Sequence, residues 1–270
     1  MHKGFELFLS EDISPIFCKK LFENYYPNEK QIFDSTNQRI ERVISNFKSF
    51  SGNIDGTKMQ ANWFPQIRAD IFLSHSHNDK DLAIAIAGWL RQEFGLKTFI
   101  DSCIWGHSKD LLKLIDNEFC SNKINNKIIS YNYENRNYST SHVHMMLSSA
   151  LTNMIDNTEC VIFLNTPNSI TPEDVINKTF SPWIYTEILM TSLIRLKRIE
   201  EYRPKITTES FSAIERRKEL KVEYVINTDH LAKMSTRTLL DWKKGWPIDK
   251  PHLDFKYFAL DKLYELTKNQ

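Results

Sequence analysis

At 270 residues the chain is long enough for one large domain, or for one domain with an extension, and its 41% hydrophobic and 26% charged residues are those of an ordinary globular protein. With 35 Lys and Arg against 34 Asp and Glu the formal net charge is +1, which lacks the basic excess of a dedicated nucleic-acid binder. No apolar stretch approaches the ~20 residues that span a bilayer, so no membrane partner is expected.

The start, Met1-His2-Lys3-Gly4-Phe5, runs into Glu6, Glu11 and Asp12 and is unlike a signal peptide. Cys18, Cys103, Cys120 and Cys160 form no CxxC pair, and a reducing cytoplasm is the expected compartment. The basic runs Arg195–Arg198 and Arg216–Lys218 are interleaved with glutamates and read as solvated helix faces.

In chain order, residues 1–66 read as a mainly helical extension that ends at Trp63-Phe64-Pro65. From there to residue 270 short apolar runs alternate with amphipathic ones, the pattern of βα units around a parallel sheet. Ile71-Phe72-Leu73 is the first strand of this rhythm. Asn78 or Asp79 can cap the next helix, where Leu82, Ile86, Leu90 and Phe94 recur every four residues, and Gly95 supplies a left-handed stop.

Lys97–Ile100 is the second strand. Residues 102–141 form an insertion with one short helical piece at Leu111–Ile115 and a tract rich in Asn and Tyr. Leu147, Ala150, Leu151, Met154 and Ile155 mark another helix, and Cys160–Leu164 is the clearest strand. Ser181-Pro182 opens a further helix, with Ser as cap and Pro at the first helical position. Val222–Ile226 and Leu231–Met234 are the fourth and fifth strands, and Leu253–Leu266 is a closing helix.

Open parallel sheets bind ligands beyond the carboxyl ends of their strands, where strand order reverses. In the order 2-1-3-4-5 that point lies between the first and third strands. It collects Ser74-His75-Ser76-His77 and Asn165-Thr166-Pro167, with Asp101, Ser102 and Trp105 nearby and the helix from Ser181 as a wall. On that helix Trp183 and Glu187 are four residues apart and share a face. A carboxylate beside an aromatic ring suits cleavage of a cationic glycoside. The leaving base departs neutral, so the site needs to stabilise a ribosyl cation rather than supply a strong acid. By itself the spacing is far more often the pattern of a core Trp beside a solvated Glu.

Four segments together resemble a Toll/interleukin receptor (TIR) domain. They are Asp70-Ile71-Phe72-Leu73-Ser74-His75-Ser76, Phe99-Ile100-Asp101, Val161-Ile162-Phe163-Leu164 and Ser181-Pro182-Trp183-Ile184-Tyr185-Thr186-Glu187. The resemblance runs from about Ile67 to the C-terminus and weakens after about residue 200. It implies a flavodoxin-like, doubly wound α/β domain of about five strands over 67–270, with 1–66 as an extension that has no counterpart in the family.

The resemblance also implies NAD cleavage at the nicotinamide–ribose bond, with Glu187 catalytic. Ser74, His75, Ser76, Asp101, Trp105, Ser181 and Trp183 would bind substrate. NAD would be a substrate, no further cofactor would be needed, and the product would be ADP-ribose or a cyclic ADP-ribose signal, used in bacterial antiphage defence. A homo-oligomer and a separate effector or receptor are the implied partners; a non-catalytic assembly module is the alternative. This chain departs from the family in its loop after Asp101, which has Gly106 but no early proline, and in Ile184, where many eukaryotic relatives have Cys.

Of the remaining features, the pairs His75/His77 and His142/His144 have no Cys/His spacing for a metal and read as hydrogen-bonded loop histidines, so no metal is expected. There is no GxGxxG and no Walker A pattern. Met145 and Met146 read as gap-fillers, and nothing marks Cys103 as a nucleophile.

Overall fold

The computed structural model describes residues 1–9, 14–36, 43–48, 53–105, 108–124, 127–173, 176–179, 181–202, 224–225, 228–246 and 255–268. The expectations made for Gly106, Arg216–Lys218 and Leu253 fall outside these residues.

Runs of buried apolar side chains build the centre. Strand β1 (Lys3–Phe8) buries Phe5 and Leu7 completely, β2 (Ile71–Ser74) is buried along its whole length, and β6 (Cys160–Asn165) is buried up to its last residue. With β3 (Thr98–Phe99) and β10 (Ala232–Ser235) they form one five-stranded sheet in the order β10-β1-β6-β2-β3, with every neighbouring pair parallel. Strands covered on both faces carry continuous apolar runs instead of alternation, and β2 and β6 do so.

This arrangement corrects two expectations. Residues 1–66 do not stand apart as a helical extension, because β1 sits inside the sheet between β6 and β10. It takes the place that the order 2-1-3-4-5 reserves for the fourth strand. The expected fourth strand survives as β9 (Tyr224–Val225), which pairs antiparallel in a separate small sheet with β7 (Thr171–Glu173) and β8 (Ile176–Thr179).

Helix α4 (Lys80–Phe94) follows β2, and Gly95 ends it with φ 69°, as a left-handed cap requires. It is buried on nearly all sides because α1 (Ser14–Asn24) and α2 (Tyr26–Thr36) cover its outer face. The contact is close: a β-carbon on Gly88 would lie 2.6 Å from the Tyr25 carbonyl oxygen. Glu29, itself buried, accepts two hydrogen bonds from Arg91 at 2.7 and 2.8 Å and fastens α2 to α4. Helix α3 (Gly56–Trp63), capped by the Asp55 side chain, packs on the long helix α7 (Tyr133–Asn157).

The segment after β3 is more ordered than an insertion loop. It holds α5 (Asp101–Ile104), α6 (Ser108–Ile115), a π-helical turn at Asp116–Cys120, and the hairpin β4 (Ser121–Ile124) and β5 (Lys127–Tyr131). Helix α7 (Tyr133–Asn157) then runs for 25 residues, starting well before the expected Leu147. Its first turn is fixed by Asn132, whose side chain accepts from the Asn135 amide at 2.9 Å. Asp116 ties the π turn to α7 by accepting from Ser139 Oγ at 2.5 Å and Arg136 Nε at 2.9 Å.

Helix α8 (Pro182–Leu193) opens at Ser181-Pro182 as expected, and rests Ile184 and Ile188 on Phe163, Ile170 and Leu231. Helices α9 (Thr236–Lys244) and α10 (Phe255–Leu266) close the described chain, with Trp242 stacked on Phe94 at 4.0 Å. Among the described residues no helix is long and apolar enough to cross a membrane.

Candidate active site

Strands β2 and β6 lie side by side in register, Ile71 opposite Cys160 through Ser74 opposite Phe163. The chain leaving β2 proceeds to β3 on one side, and the chain leaving β6 proceeds to β10 on the other. Their carboxyl ends therefore diverge, which opens a crevice of the kind that binds ligands in parallel sheets.

Glu187, from α8, turns into this crevice and is 3% exposed. The Ser74 hydroxyl, at the end of β2 and itself 1% exposed, donates to Glu187 Oε2 at 2.5 Å. Burial, and secondarily the charge of Asp101, push the Glu187 carboxyl well above the usual carboxylate range, while the Ser74 bond pulls the other way. The site thus disfavours the charged form of Glu187 while Ser74 fixes its orientation. The hydroxyl of Ser74, a residue expected to touch substrate, here donates to Glu187 and orients it.

A second group sits on the β3 side. His75 is buried, with Nε2 at 2.9 Å from Ser102 Oγ and Nδ1 at 3.4 Å from the Leu73 carbonyl oxygen and 3.8 Å from Asp101 Oδ1. Burial lowers the imidazole pKa and outweighs the nearby charge of Asp101. Lys80 Nζ donates to the Ser102 carbonyl oxygen at 3.2 Å. His75, Asp101 and Ser102 are therefore brought together, and Lys80, which the sequence did not single out, joins them.

Sequence reading assigned Asp79 only a capping role. Its carboxylate makes no side-chain cap to α4. It accepts instead from Thr166 Oγ1 at 2.5 Å and Asn168 Nδ2 at 2.8 Å, and so laces the loop after β2 to the loop after β6. Nothing local in Asn78-Asp79 signals this, because both partners lie more than eighty residues away. That lacing joins the two loops at the carboxyl ends of β2 and β6.

The other expected residues divide. Trp105 is not in the crevice: it is 3% exposed, packs edge-on against Phe99 and Phe64, and donates its indole N–H to the Pro65 carbonyl at 3.1 Å. Its ring fills the core because α5 turns it inward directly after β3. Ser181 has a structural duty, accepting from the Ile184 amide at 3.3 Å as the cap of α8. Trp183, half-buried one turn before Glu187, packs edge-on against His144 of α7 at 5.5 Å. Ser76 is buried at the start of the short 3-10 turn His77–Asp79.

Among the described residues no three His, Cys, Asp or Glu side chains converge as a metal site would need. Cys103 lies beside the site, but burial pushes its thiol up to about 12, which makes it a poor nucleophile at neutral pH. No protein-family model, no curated protein and no solved structure matches this chain. What the fold and the site define is an α/β protein with an open parallel sheet and a buried carboxyl at its strand divergence.

Proposed function

We propose that this protein is a flavodoxin-like, TIR-type enzyme that cleaves the nicotinamide–ribose bond of NAD, with Glu187 as the catalytic carboxyl. The observation that carries the reading is the burial of Glu187 at the divergence of β2 and β6, held by Ser74. Its support from sequence is the resemblance of the segments around Ser74, Asp101, Val161–Leu164 and Glu187.

The chemistry follows from the electrostatics. Only the charged form of Glu187 can stabilise a ribosyl cation, and burial disfavours that form, so the bound substrate has to offset the cost. The nicotinamide of NAD is cationic, and a cation brought within a few ångström favours the charged carboxylate. The same carboxylate then faces the positive charge that grows on the ribose as neutral nicotinamide leaves. Exclusion of water makes that attraction stronger than it is in solvent. Entry requires the crevice to open, and the contacts of Asp79 with Thr166 and Asn168 are the ones that must loosen. In this reading the product is ADP-ribose or a cyclic isomer, the working state is a homo-oligomer, and bacterial antiphage defence is the setting.

NAD consumption by concentrated protein, beside a Glu187→Ala variant, tests the proposal. Nicotinamide release by the wild type and none by the variant is the expected result. Release at the same rate from both would refute the role of Glu187.

A second reading, a non-catalytic assembly module, is favoured by one feature. The ribbon β4–β5 and its flanks expose Phe119, Ile124, Ile128, Ile129 and Tyr133, a concentration of apolar surface of the kind that marks interaction sites. Partner binding with intact NAD in the assembled state would favour that reading.

A further inference from the structure

Ser102 has the surroundings of an activated nucleophile. Its partner His75 presents Nδ1 to two oxygens, the Leu73 carbonyl at 3.4 Å and Asp101 Oδ1 at 3.8 Å. Neither oxygen offers a proton, so the ring hydrogen resides on Nδ1 and the Nε2 lone pair faces the Ser102 hydroxyl at 2.9 Å. A hydroxyl aimed into an imidazole whose far nitrogen bonds a backbone carbonyl at 3.4 Å and has a carboxylate 3.8 Å away resembles the arrangement that generates an alkoxide-like serine in enzymes of unrelated folds. Exposure is graded in the useful direction: His75 is buried, whereas Ser102 is half-buried. The Lys80 ammonium, held 3.2 Å from the Ser102 carbonyl, adds a positive charge next to the seryl residue.

We propose that Ser102 is a nucleophile, with His75 as its general base and Asp101 as the positioning residue, and that it takes acyl groups from small esters. In the first half-reaction Ser102 Oγ bonds to the acyl carbon while its proton passes to His75 Nε2. The bond from the acyl carbon to the alcohol oxygen breaks, and the departing alcohol takes the proton from His75. In the second half water attacks the acyl-serine with His75 again as base, the Oγ–acyl bond breaks, and the acid is released with the serine hydroxyl restored. No step uses Glu187 or NAD, so the inference stands apart from the proposed glycosidic cleavage.

The charged groups around the imidazole set its pH response. Asp101 and Asp79 raise its proton affinity, His77 lowers it, and burial, the largest influence, keeps it below the ordinary 6.5. His75 is then the free base at neutral pH.

The test is labelling of the full chain by a fluorophosphonate in the absence of NAD, read by intact mass and peptide mapping, with p-nitrophenyl acetate hydrolysis alongside. One adduct on Ser102 is expected, absent in Ser102→Ala and slowed about a hundredfold in His75→Gln. Because His75 is buried and its replacement can unsettle the fold, the wild-type pH profile supplies an arm free of variants. The labelling rate should stay level from pH 8 to about pH 6.5 and fall only at lower pH, where the imidazole protonates. Folded wild-type protein that forms no Ser102 adduct overturns the proposal. So does a Ser102 adduct that forms as fast in folded His75→Gln, or a rate that rises tenfold per pH unit from 6.5 to 8 as for an unassisted hydroxyl.

Discussion

Replacing Asp79 by Ala should release the crevice selectively. Asp79 is buried and accepts from Thr166 Oγ1 at 2.5 Å and Asn168 Nδ2 at 2.8 Å. Hydrogen bonds to a charged group contribute about 1.5–3 kcal/mol each, which sets an upper bound near ~6 kcal/mol for the pair. Thr166 is half-buried and Asn168 exposed, so both donors regain water when freed, and the net loss should be about 2–3 kcal/mol. Asp79 does not cap α4 through its side chain, so little of the effect belongs to the helix.

The amides of Ser169 and Ile170, which bond the Thr166 carbonyl at 3.0 and 3.1 Å, report on the released loop. Their hydrogen exchange should accelerate by roughly 30- to 150-fold at about 1.4 kcal/mol per tenfold. Amides in β1 should change far less. Asp79→Asn, which keeps one acceptor, should fall between. Unchanged exchange at Ser169 and Ile170 in a folded Asp79→Ala protein, or an equal acceleration in β1, would refute the idea of a local latch.

Three further outcomes are expected. The Glu187 carboxyl has its proton affinity raised above the ordinary 4.5 by folding, so its contribution is complete below that pH and is lost as pH rises through the folded value. Denaturant melts should therefore show Glu187→Gln gaining on the wild type as pH increases from about 4.5, and parallel stability profiles would contradict the assignment. Ser74→Ala removes a buried donor from Glu187 and should cost about 1–3 kcal/mol in urea unfolding; a loss below ~0.5 kcal/mol would mean that the bond holds little. Gly88→Val should destabilise by about 1–3 kcal/mol, because its β-carbon would meet the backbone of Tyr25 at 2.6 Å, and an unchanged melting temperature would show that α2 can shift away.

Much of this molecule was legible as local pattern. Strands β2 and β6, the Gly95 stop and the Ser181-Pro182 start follow from apolar runs and from the chemistry of helix ends, which depend on neighbours a few residues away. The burial of Leu147, Ala150, Leu151, Met154 and Ile155 follows equally from their spacing on α7. So does the shared position of Ser74 and Glu187, once β2 and β6 are neighbours.

What the sequence concealed depends on distant partners. Strand β1 carries Glu6 at its middle, a poor residue for a sheet interior, yet Glu6 is wholly buried. Asn165 Nδ2 donates to one of its oxygens at 2.7 Å and Lys233 pairs with the other, and neither partner is visible from residues 3–8. A buried charge is tolerable only when such partners converge. The tertiary structure therefore decided that the N-terminal segment enters the sheet and displaces the expected fourth strand. It turned Trp105 into the core and gave Asp79 to Thr166 and Asn168, because backbone direction and long-range hydrogen bonds, not composition, determine where a polar or aromatic side chain is used.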